Sequence, residues 1–256
     1  MGRQQAIGDT DAVVLCGGMG TRLRTVIGEK QKTVAYVNGR PFLFFIIEAL
    51  MRQGVKRIVL STGYQSDELK ACVEEQDFAA EIIFSAEKEP LGTGGAVRLA
   101  KSIIKSDPFL VLNGDSFCRV GYADFLKFHQ KVDATATLTV TTHTNRADYG
   151  SIQLGLGGQV ERFLEKVSAP QAGQGHLSLV YVNAGVYCFS SDIFRYMPAG
   201  KSFSLEYDLF PQLCGKGLFA LAVEGHFIDI GTPERFQEAQ KILGLKSSPS
   251  EGPAGL

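Results

Sequence analysis

Asp11-Ala12-Val13-Val14-Leu15-Cys16-Gly17-Gly18-Met19-Gly20-Thr21-Arg22-Leu23 carries a short apolar, β-type run straight into a glycine-rich loop. Gly17, Gly18 and Gly20 remove the Cβ atoms that would keep backbone N–H groups away from a phosphate, so the loop reads as a phosphate cradle. Arg22 adds a guanidinium beside it, and Lys32 lies ten residues further on, so two cations can meet a polyphosphate held by the glycines. Two common phosphate motifs do not fit. Gly18-x-Gly20-x-x-Leu23 lacks the third glycine of a dinucleotide fingerprint, and no Gly-Lys-Ser/Thr follows to make a P-loop. Taken alone, the loop is equally well a tight turn.

Working outward, β-rich runs at 11–16, 55–62, 80–85 and 108–113 alternate with helical patterns, which predicts βαβ units and a parallel sheet, the α/β class. Pro41 opens a helix whose Phe42, Phe45, Ile46, Ala49 and Leu50 share a core-facing stripe. Ser66 is placed to cap a helix over 67–76, and Thr93 to cap another running through Lys105. Past residue 133 the text turns richer in Thr and Val, with strands expected at 134–142, 149–154, 160–166 and 179–190 as a mixed extension of the first sheet. Short helices should start at Ser204 and at Thr232-Pro233. The chain is expected to form one domain over 1–245, with a first half at 11–113 and a second half at 114–243. A disordered tail at 246–256 is expected from its Ser, Pro and Gly content. No internal repeat is visible, and no β-helix hexapeptide in particular, so no appended catalytic domain is expected.

Composition narrows the partners. The 256 residues, 45% apolar and 21% charged, suffice for a substantial core. Lys plus Arg (26) nearly balance Asp plus Glu (27), which gives no excess charge for nucleic acid or an anionic membrane. Cys16, Cys72, Cys118, Cys188 and Cys214 are odd in number, far apart and free of any Cys-x-x-Cys pair, which argues against a disulfide framework and structural zinc and for a reducing compartment. The polar start is not a signal peptide, Ala6 stands where myristoylation would want Ser or Thr, and no apolar run reaches the roughly 20 residues of a membrane span. A cytoplasmic protein with small-molecule substrates is expected; formation of a homodimer stays open.

Asn113-Gly114-Asp115 ends an apolar strand and puts a carboxylate at the carboxyl edge of a sheet, where open α/β folds bind ligands. Asp229 closes a second strand, 226–229, just before a helix. Two such aspartates suit Mg²⁺, which takes one or two carboxylates and completes its shell with water and phosphate oxygens. Each position also reads as an ordinary turn residue. The four histidines include no pair at metal spacing, and His226 reads as a packing or hydrogen-bonding residue. Tyr149-Gly150, Glu165-Lys166, Asn183-Ala184-Gly185 and Glu206 are polar or glycine positions set in apolar strand-like text, each weak by itself.

The loop sequence Gly-Gly-Met-Gly-Thr-Arg-Leu at 17–23, with a lysine nine residues past it, resembles the signature of sugar-1-phosphate nucleotidyltransferases. The family's lysine follows a proline; here Gln31 precedes Lys32. The resemblance spans about 11–243 and implies a Rossmann-like three-layer α/β sandwich with a mostly parallel central sheet, a nucleotidyltransferase fold of the glycosyltransferase-A type. It implies nucleotide contacts at Leu15, Gly17, Gly18, Gly20, Thr21, Arg22, Glu87, Gly92, Thr93, Asn113 and Gly114. Sugar-phosphate contacts are implied at Gly150, Glu165, Lys166, Asn183, Gly185 and Glu206, which follow the family's order. Asp115 and Asp229 become the metal pair for Mg²⁺, and Arg22, Lys32, Asp115 and Lys166 the catalytic set. In the implied reaction an NTP and a sugar 1-phosphate condense by in-line attack on the α-phosphorus, so positioning and charge stabilisation replace any side-chain nucleophile.

The segment Glu87-Lys88-Glu89-Pro90-Leu91-Gly92-Thr93-Gly94-Gly95-Ala96 lies against the nucleobase in the family. Glu87 stands where uridylyl and thymidylyl transferases carry glutamine. An ionised carboxylate only accepts, and guanine offers adjacent N1–H and N2–H₂ donors, so Glu87 favours GTP. The start, this segment and the Phe227-Ile228-Asp229-Ile230-Gly231-Thr232-Pro233-Glu234 ending look most like guanylyltransferases acting on D-glycero-D-manno-heptose 1-phosphate. Mannose 1-phosphate guanylyltransferases and glucose 1-phosphate cytidylyl- or uridylyltransferases are nearly as similar. A glycosyltransferase would use Asp-x-Asp, which Asn113-Gly114-Asp115 lacks; a non-catalytic sugar-nucleotide sensor would have lost a metal carboxylate or the loop arginine.

Overall fold

A computed structural model describes residues 5–18, 23, 26, 31–63, 66–142, 151–164, 181–224 and 227–244. Its centre is a run of parallel strands: β1 (Asp11–Leu15) lies between β4 (Arg57–Thr62) and β6 (Phe109–Asn113), and β5 (Glu81–Ala86) pairs with β4. Between β1 and β4 lie the short hairpin of β2 (Tyr36–Val37) and β3 (Arg40–Pro41) and the helix α1 (Phe42–Arg52). The sheet continues past β6 through β11 (Tyr181–Phe189), which is antiparallel to β6, then β8 (Ala136–Thr142) and β12 (Leu218–Ala222). A flanking ladder of β9 (Ser151–Leu154) and β10 (Val160–Leu164) completes the nine strands. This is the expected α/β sandwich, parallel over residues 11–113 and mixed beyond them.

Strand residues alternate between the two faces, as a pleated sheet requires. Ala12, Val14, Ile58, Leu60, Leu110, Leu112, Val186 and Cys188 face one core. That core is covered by α1, α2 (Asp67–Glu74), α4 (Tyr122–Lys131) and α6 (Pro233–Gly244). Val13, Val59, Phe109, Val111, Tyr187 and Phe189 face the other core, under α3 (Gly92–Leu99), the short α5 (Phe210–Leu213) and the segments around Phe194 and Leu205. Phe109 stacks on Phe194 at 5.5 Å and meets Phe189 edge-on at 5.9 Å. Truncating such a buried ring costs about 3–5 kcal/mol.

Several local expectations change. α3 begins at Gly92 with Leu91 at the cap position and ends at Leu99, where a tighter turn, Ala100–Ser102, takes over, so it neither starts from Thr93 nor reaches Lys105. The Thr93 hydroxyl is spent on the Leu205 amide and the Glu206 carboxylate instead of a cap. Ser66 precedes α2 but makes no side-chain cap bond, and α2 stops at Glu74. α1 buries Leu43, Phe44 and Ile47 besides the expected stripe, while Phe45 is only partly covered, because Phe78 packs edge-on against Phe44 and closes the helix's second side. At Ser204 the helix opens as one π-type turn, Leu205–Leu209, whose first amides at Glu206 and Tyr207 are taken by the Ser204 hydroxyl. α6 follows Thr232 and begins at Pro233 as expected. The expected tail at 246–256 lies outside the described residues.

Candidate active site

The carboxyl ends of β1 and β6 open onto a cavity of about 460 Å³. Leu15, Gly17 and Gly18 come from the end of β1 and its loop, Glu87 and Pro90 from the end of β5, Gly92, Thr93 and Ala96 from α3, and Asn113 and Asp115 from the end of β6. Lys32 and Thr33 rise beneath them from the tight turn Lys32–Val34. The sheet thus gathers into one place residues that the sequence spreads over a hundred positions.

Glycine serves different purposes around this cavity. A Cβ on Gly17 would stand 3.3 Å from the Gly63 backbone, and one on Gly114 would stand 2.6 Å from the Leu15 carbonyl, so these two let neighbouring strand ends pass closely. A Cβ on Gly18 would meet none of the described residues within 4 Å, and Gly18 lines the cavity.

Lys32 Nζ donates to Asp115 Oδ2 at 2.7 Å. The lysine side chain is 9% exposed and the aspartate 45%, so the amine is held in the floor while the carboxylate looks into the cavity. Asp115 also helps to push the Cys16 thiol above its usual range, although burial is the larger cause. Asp229 ends β13 (Phe227–Asp229), which runs antiparallel to β7 (Ser116–Cys118), and Ile230 N–H donates to the Asp115 carbonyl at 3.1 Å. The two aspartates therefore sit on adjacent strand ends. Asp229 Oδ2 accepts from Arg235 Nη1 at 2.8 Å, and Oδ1 from the Gly231 amide. A Cβ on Gly231 would stand 3.4 Å from Lys32 Nζ and 2.6 Å from Asp229 Oδ1, which brings Lys32, Asp115 and Asp229 into one neighbourhood.

This donor set fits Mg²⁺: two carboxylates, with Asn113 Oδ1 and Ser116 Oγ buried on either side of Asp115 and unpartnered among the described residues. No group of three or more His, Cys, Asp or Glu residues able to hold a metal occurs among the described residues, so a fully protein-ligated site is not on offer there.

Glu87 is 8% exposed. Its Oε2 accepts from Leu91 N–H at 3.1 Å, and its Oε1 lies 3.7 Å from where a Gly17 Cβ would be. Burial raises its pKa, and the Leu91 hydrogen bond offsets part of that.

Beyond Asn113 the cavity floor continues into a network on Tyr187, which is fully buried. Its hydroxyl accepts from Asn183 Nδ2 at 2.8 Å and Asn113 Nδ2 at 3.4 Å and donates to Glu206 Oε1 at 3.4 Å. Asn183 Oδ1 accepts from the Gly185 amide at 3.0 Å. Gly185 has φ +72°, and a Cβ there would stand 2.5 Å from Ser116 Oγ, so its glycine is required by backbone and packing before any ligand is considered.

The structure thus brings together Leu15, Gly17, Gly18, Lys32, Glu87, Gly92, Thr93, Asn113, Gly114 and Asp115, with Asn183, Gly185, Glu206 and Asp229 adjoining. Gly20, Thr21, Arg22, Gly150, Glu165, Lys166 and His226 lie outside the described residues. Pro90 and Ala96 reach the cavity from the 87–96 segment, and Thr33, Tyr187 and Arg235 are additions that no sequence motif flagged.

Residues 11–244 match the Nucleotidyl transferase family, and the chain belongs to that family. Within it, D-glycero-alpha-D-manno-heptose 1-phosphate guanylyltransferase of Campylobacter jejuni is 34% identical over 226 residues, covering 88% of this chain and 96% of that protein. The crystal structure of HddC from Yersinia pseudotuberculosis complexed with GMP-PN is 33% identical with a TM-score of 0.77, covering 91% of this chain and 99% of that one. Mannose-1-phosphate guanylyltransferase catalytic subunit beta of Danio rerio is 35% identical over 231 residues, 88% of this chain but only 62% of that protein, so the chain spans less than two thirds of that relative.

Proposed function

We propose that this chain is a guanylyltransferase that condenses GTP with D-glycero-α-D-manno-heptose 1-phosphate to give GDP-heptose and pyrophosphate. The observation that carries the reading is the Lys32–Asp115 pair set in one cavity with Gly18 and the buried carboxylate of Glu87. Leu15, Gly17, Gly18, Gly92, Asn113 and Gly114 border the nucleotide, and the family motif adds Gly20, Thr21 and Arg22 as further nucleotide contacts. Glu87 accepts from the guanine N1–H and N2–H₂ edge; the Leu91 amide occupies one acceptor position of Oε2 and orients the carboxylate. Asn183, Gly185 and Glu206, with Gly150, Glu165 and Lys166, receive the sugar 1-phosphate.

Asp115 and Asp229 would hold Mg²⁺, which when bound neutralises triphosphate charge and polarises the α-phosphate. The chain's own residues do the rest. Lys32 orients Asp115 and lends positive charge at the α-phosphate, and Lys166 neutralises the acceptor phosphate so that its oxygen can approach the α-phosphorus in line. The bond from that oxygen to the α-phosphorus forms as the bond to the bridging oxygen of pyrophosphate breaks, and no covalent enzyme intermediate is needed.

The heptose assignment is supported by relatives of that name that are matched along almost their whole length, 96% and 98%. Mannose 1-phosphate is the second reading, supported by mannose-1-phosphate guanylyltransferases that are 35% and 34% identical. A cytoplasmic setting is supported by the five cysteines, all of which are free thiols. Mass spectrometry of the products tests the reaction type: GDP-sugar with pyrophosphate is expected, and free GDP with a transferred sugar would mean glycosyl transfer instead.

A further inference from the structure

Gly92-Thr93-Gly94-Gly95 opens α3 beside the nucleotide cavity and also meets the segment around Phe203. Phe203 N–H donates to the Leu91 carbonyl at 2.8 Å, and the Phe203 carbonyl accepts from the Gly94 and Gly95 amides at 2.8 and 3.1 Å. A Cβ on Gly92 would stand 2.7 Å from the Phe203 carbonyl oxygen, and one on Gly94 would overlap the Phe203 ring at 2.3 Å. These glycines therefore let the 203–206 segment dock on the start of the helix. Across that junction Leu205 N–H donates to Thr93 Oγ1 at 2.9 Å, and Thr93 Oγ1 donates its own proton to Glu206 Oε2 at 2.7 Å.

Hydrogen-bond arithmetic decides what the hydroxyl does. Its one proton is committed to Glu206, and the Leu205 amide takes one of its lone pairs, so it has no donor left for a nucleotide. Glu206 Oε2 also accepts from Ser204 Oγ at 3.0 Å, whereas among the described residues Oε1 carries only the longer 3.4 Å bond from Tyr187. The carboxylate is thereby pinned by one oxygen, and the other keeps acceptor capacity for a ligand hydroxyl.

We infer that Thr93 is a positioning residue of the sugar site: through its hydroxyl, the helix that borders the nucleotide fixes Glu206 and so tunes recognition of the sugar hydroxyls. The inference rests on the reading that Glu206 faces the sugar. It also reassigns Thr93, whose place in the sequence suggests a nucleotide contact.

The test uses Thr93→Val, which keeps the shape and loses the hydroxyl, and Thr93→Ser, which restores it. In steady-state assays T93V should raise the KM for the sugar 1-phosphate about tenfold, the scale of one hydrogen bond to a charged group, with the KM for GTP within about twofold of wild type. T93S should return the sugar KM toward wild type. Hydrogen–deuterium exchange, which needs no substrate, should show the Leu205 amide exchanging faster in T93V and near the wild-type rate in T93S. A raised GTP KM with an unchanged sugar KM, or an unchanged exchange rate at Leu205 in T93V, would overturn the inference. A wild-type protein that releases no pyrophosphate with any sugar 1-phosphate would overturn the proposed reaction instead, and exchange at Leu205 would still decide whether Thr93 holds this segment.

Discussion

Lys32 Nζ and Asp115 Oδ2 meet at 2.7 Å across 83 positions of sequence, tying the turn beneath the glycine loop to the end of β6. An amine fixed in the floor and a carboxylate turned to the cavity make a site ordered before any substrate arrives. Such preorganisation is worth more in a sheltered cavity than in water, because the groups need not reorient during the reaction.

Replacing Lys32 with Met removes the charge and keeps much of the side-chain volume. Its partner is 45% exposed and can be solvated, so folding should be little affected. The expected result is a kcat lower by about 10²-fold or more with a thermal midpoint close to wild type, on the scale of losing one preorganised charge at a reacting phosphate. Steady-state pyrophosphate release and a thermal melt check it.

Asp115→Asn and Asp229→Asn should separate. The first should remove most of kcat and leave the fold intact. The second breaks a pair with Arg235 in which both side chains are only 17% exposed, so a stability loss of about 1–3 kcal/mol should accompany the loss of activity. Urea unfolding beside Mg²⁺-dependence curves distinguishes them, and near-normal turnover of D115N at ordinary Mg²⁺ would remove Asp115 from the metal pair.

Glu87 must be ionised to accept two N–H donors, and burial raises its pKa. The sign follows: as pH falls, this carboxyl protonates before an ordinary one, so the KM for GTP should climb on the acid side. In Glu87→Gln that climb should flatten and discrimination between GTP and UTP should shrink. The check is KM against pH for both nucleotides.

His129 is 2% exposed, with Nδ1 2.8 Å from Thr137 Oγ1 and Nε2 3.0 Å from Ser190 Oγ. Burial, partly offset by Asp107 and Asp133, lowers its pKa from 6.5 to about 4. The folded state thus resists a proton that the unfolded chain accepts below pH 6.5. Stability is flat above that value and falls as pH drops towards 4, by about 3 kcal/mol in all at about 1.4 kcal/mol per unit. Melts of wild type and His129→Gln should converge over that window; parallel curves would assign the acid loss to other groups.

The parallel half was legible because each strand carries a short apolar, β-branched or aromatic core, and β1, β4, β5 and β6 fall within one or two residues of their expected bounds. α4 was missed although Tyr122, Phe125, Leu126 and His129 mark one face at helical spacing, because a polar mean and a buried histidine hid the pattern. The site was legible wherever a residue type carries its chemistry locally, as at Gly17, Gly18, Lys32 and Asp115. It was not legible where the role comes from distant packing. Thr93 looked like a cap until Glu206, 113 positions away, was seen to take its proton, and Arg235 finds Asp229 only through the turn before α6.

Pyrophosphate release by the purified protein with Mg²⁺, across the four NTPs crossed with heptose, mannose and glucose 1-phosphates, tests the central claim most directly. The account predicts release with GTP and D-glycero-α-D-manno-heptose 1-phosphate well above every other pair. Turnover led by UTP, CTP or ATP would contradict the role given to Glu87, and silence in every combination would contradict the assignment of a nucleotidyltransferase.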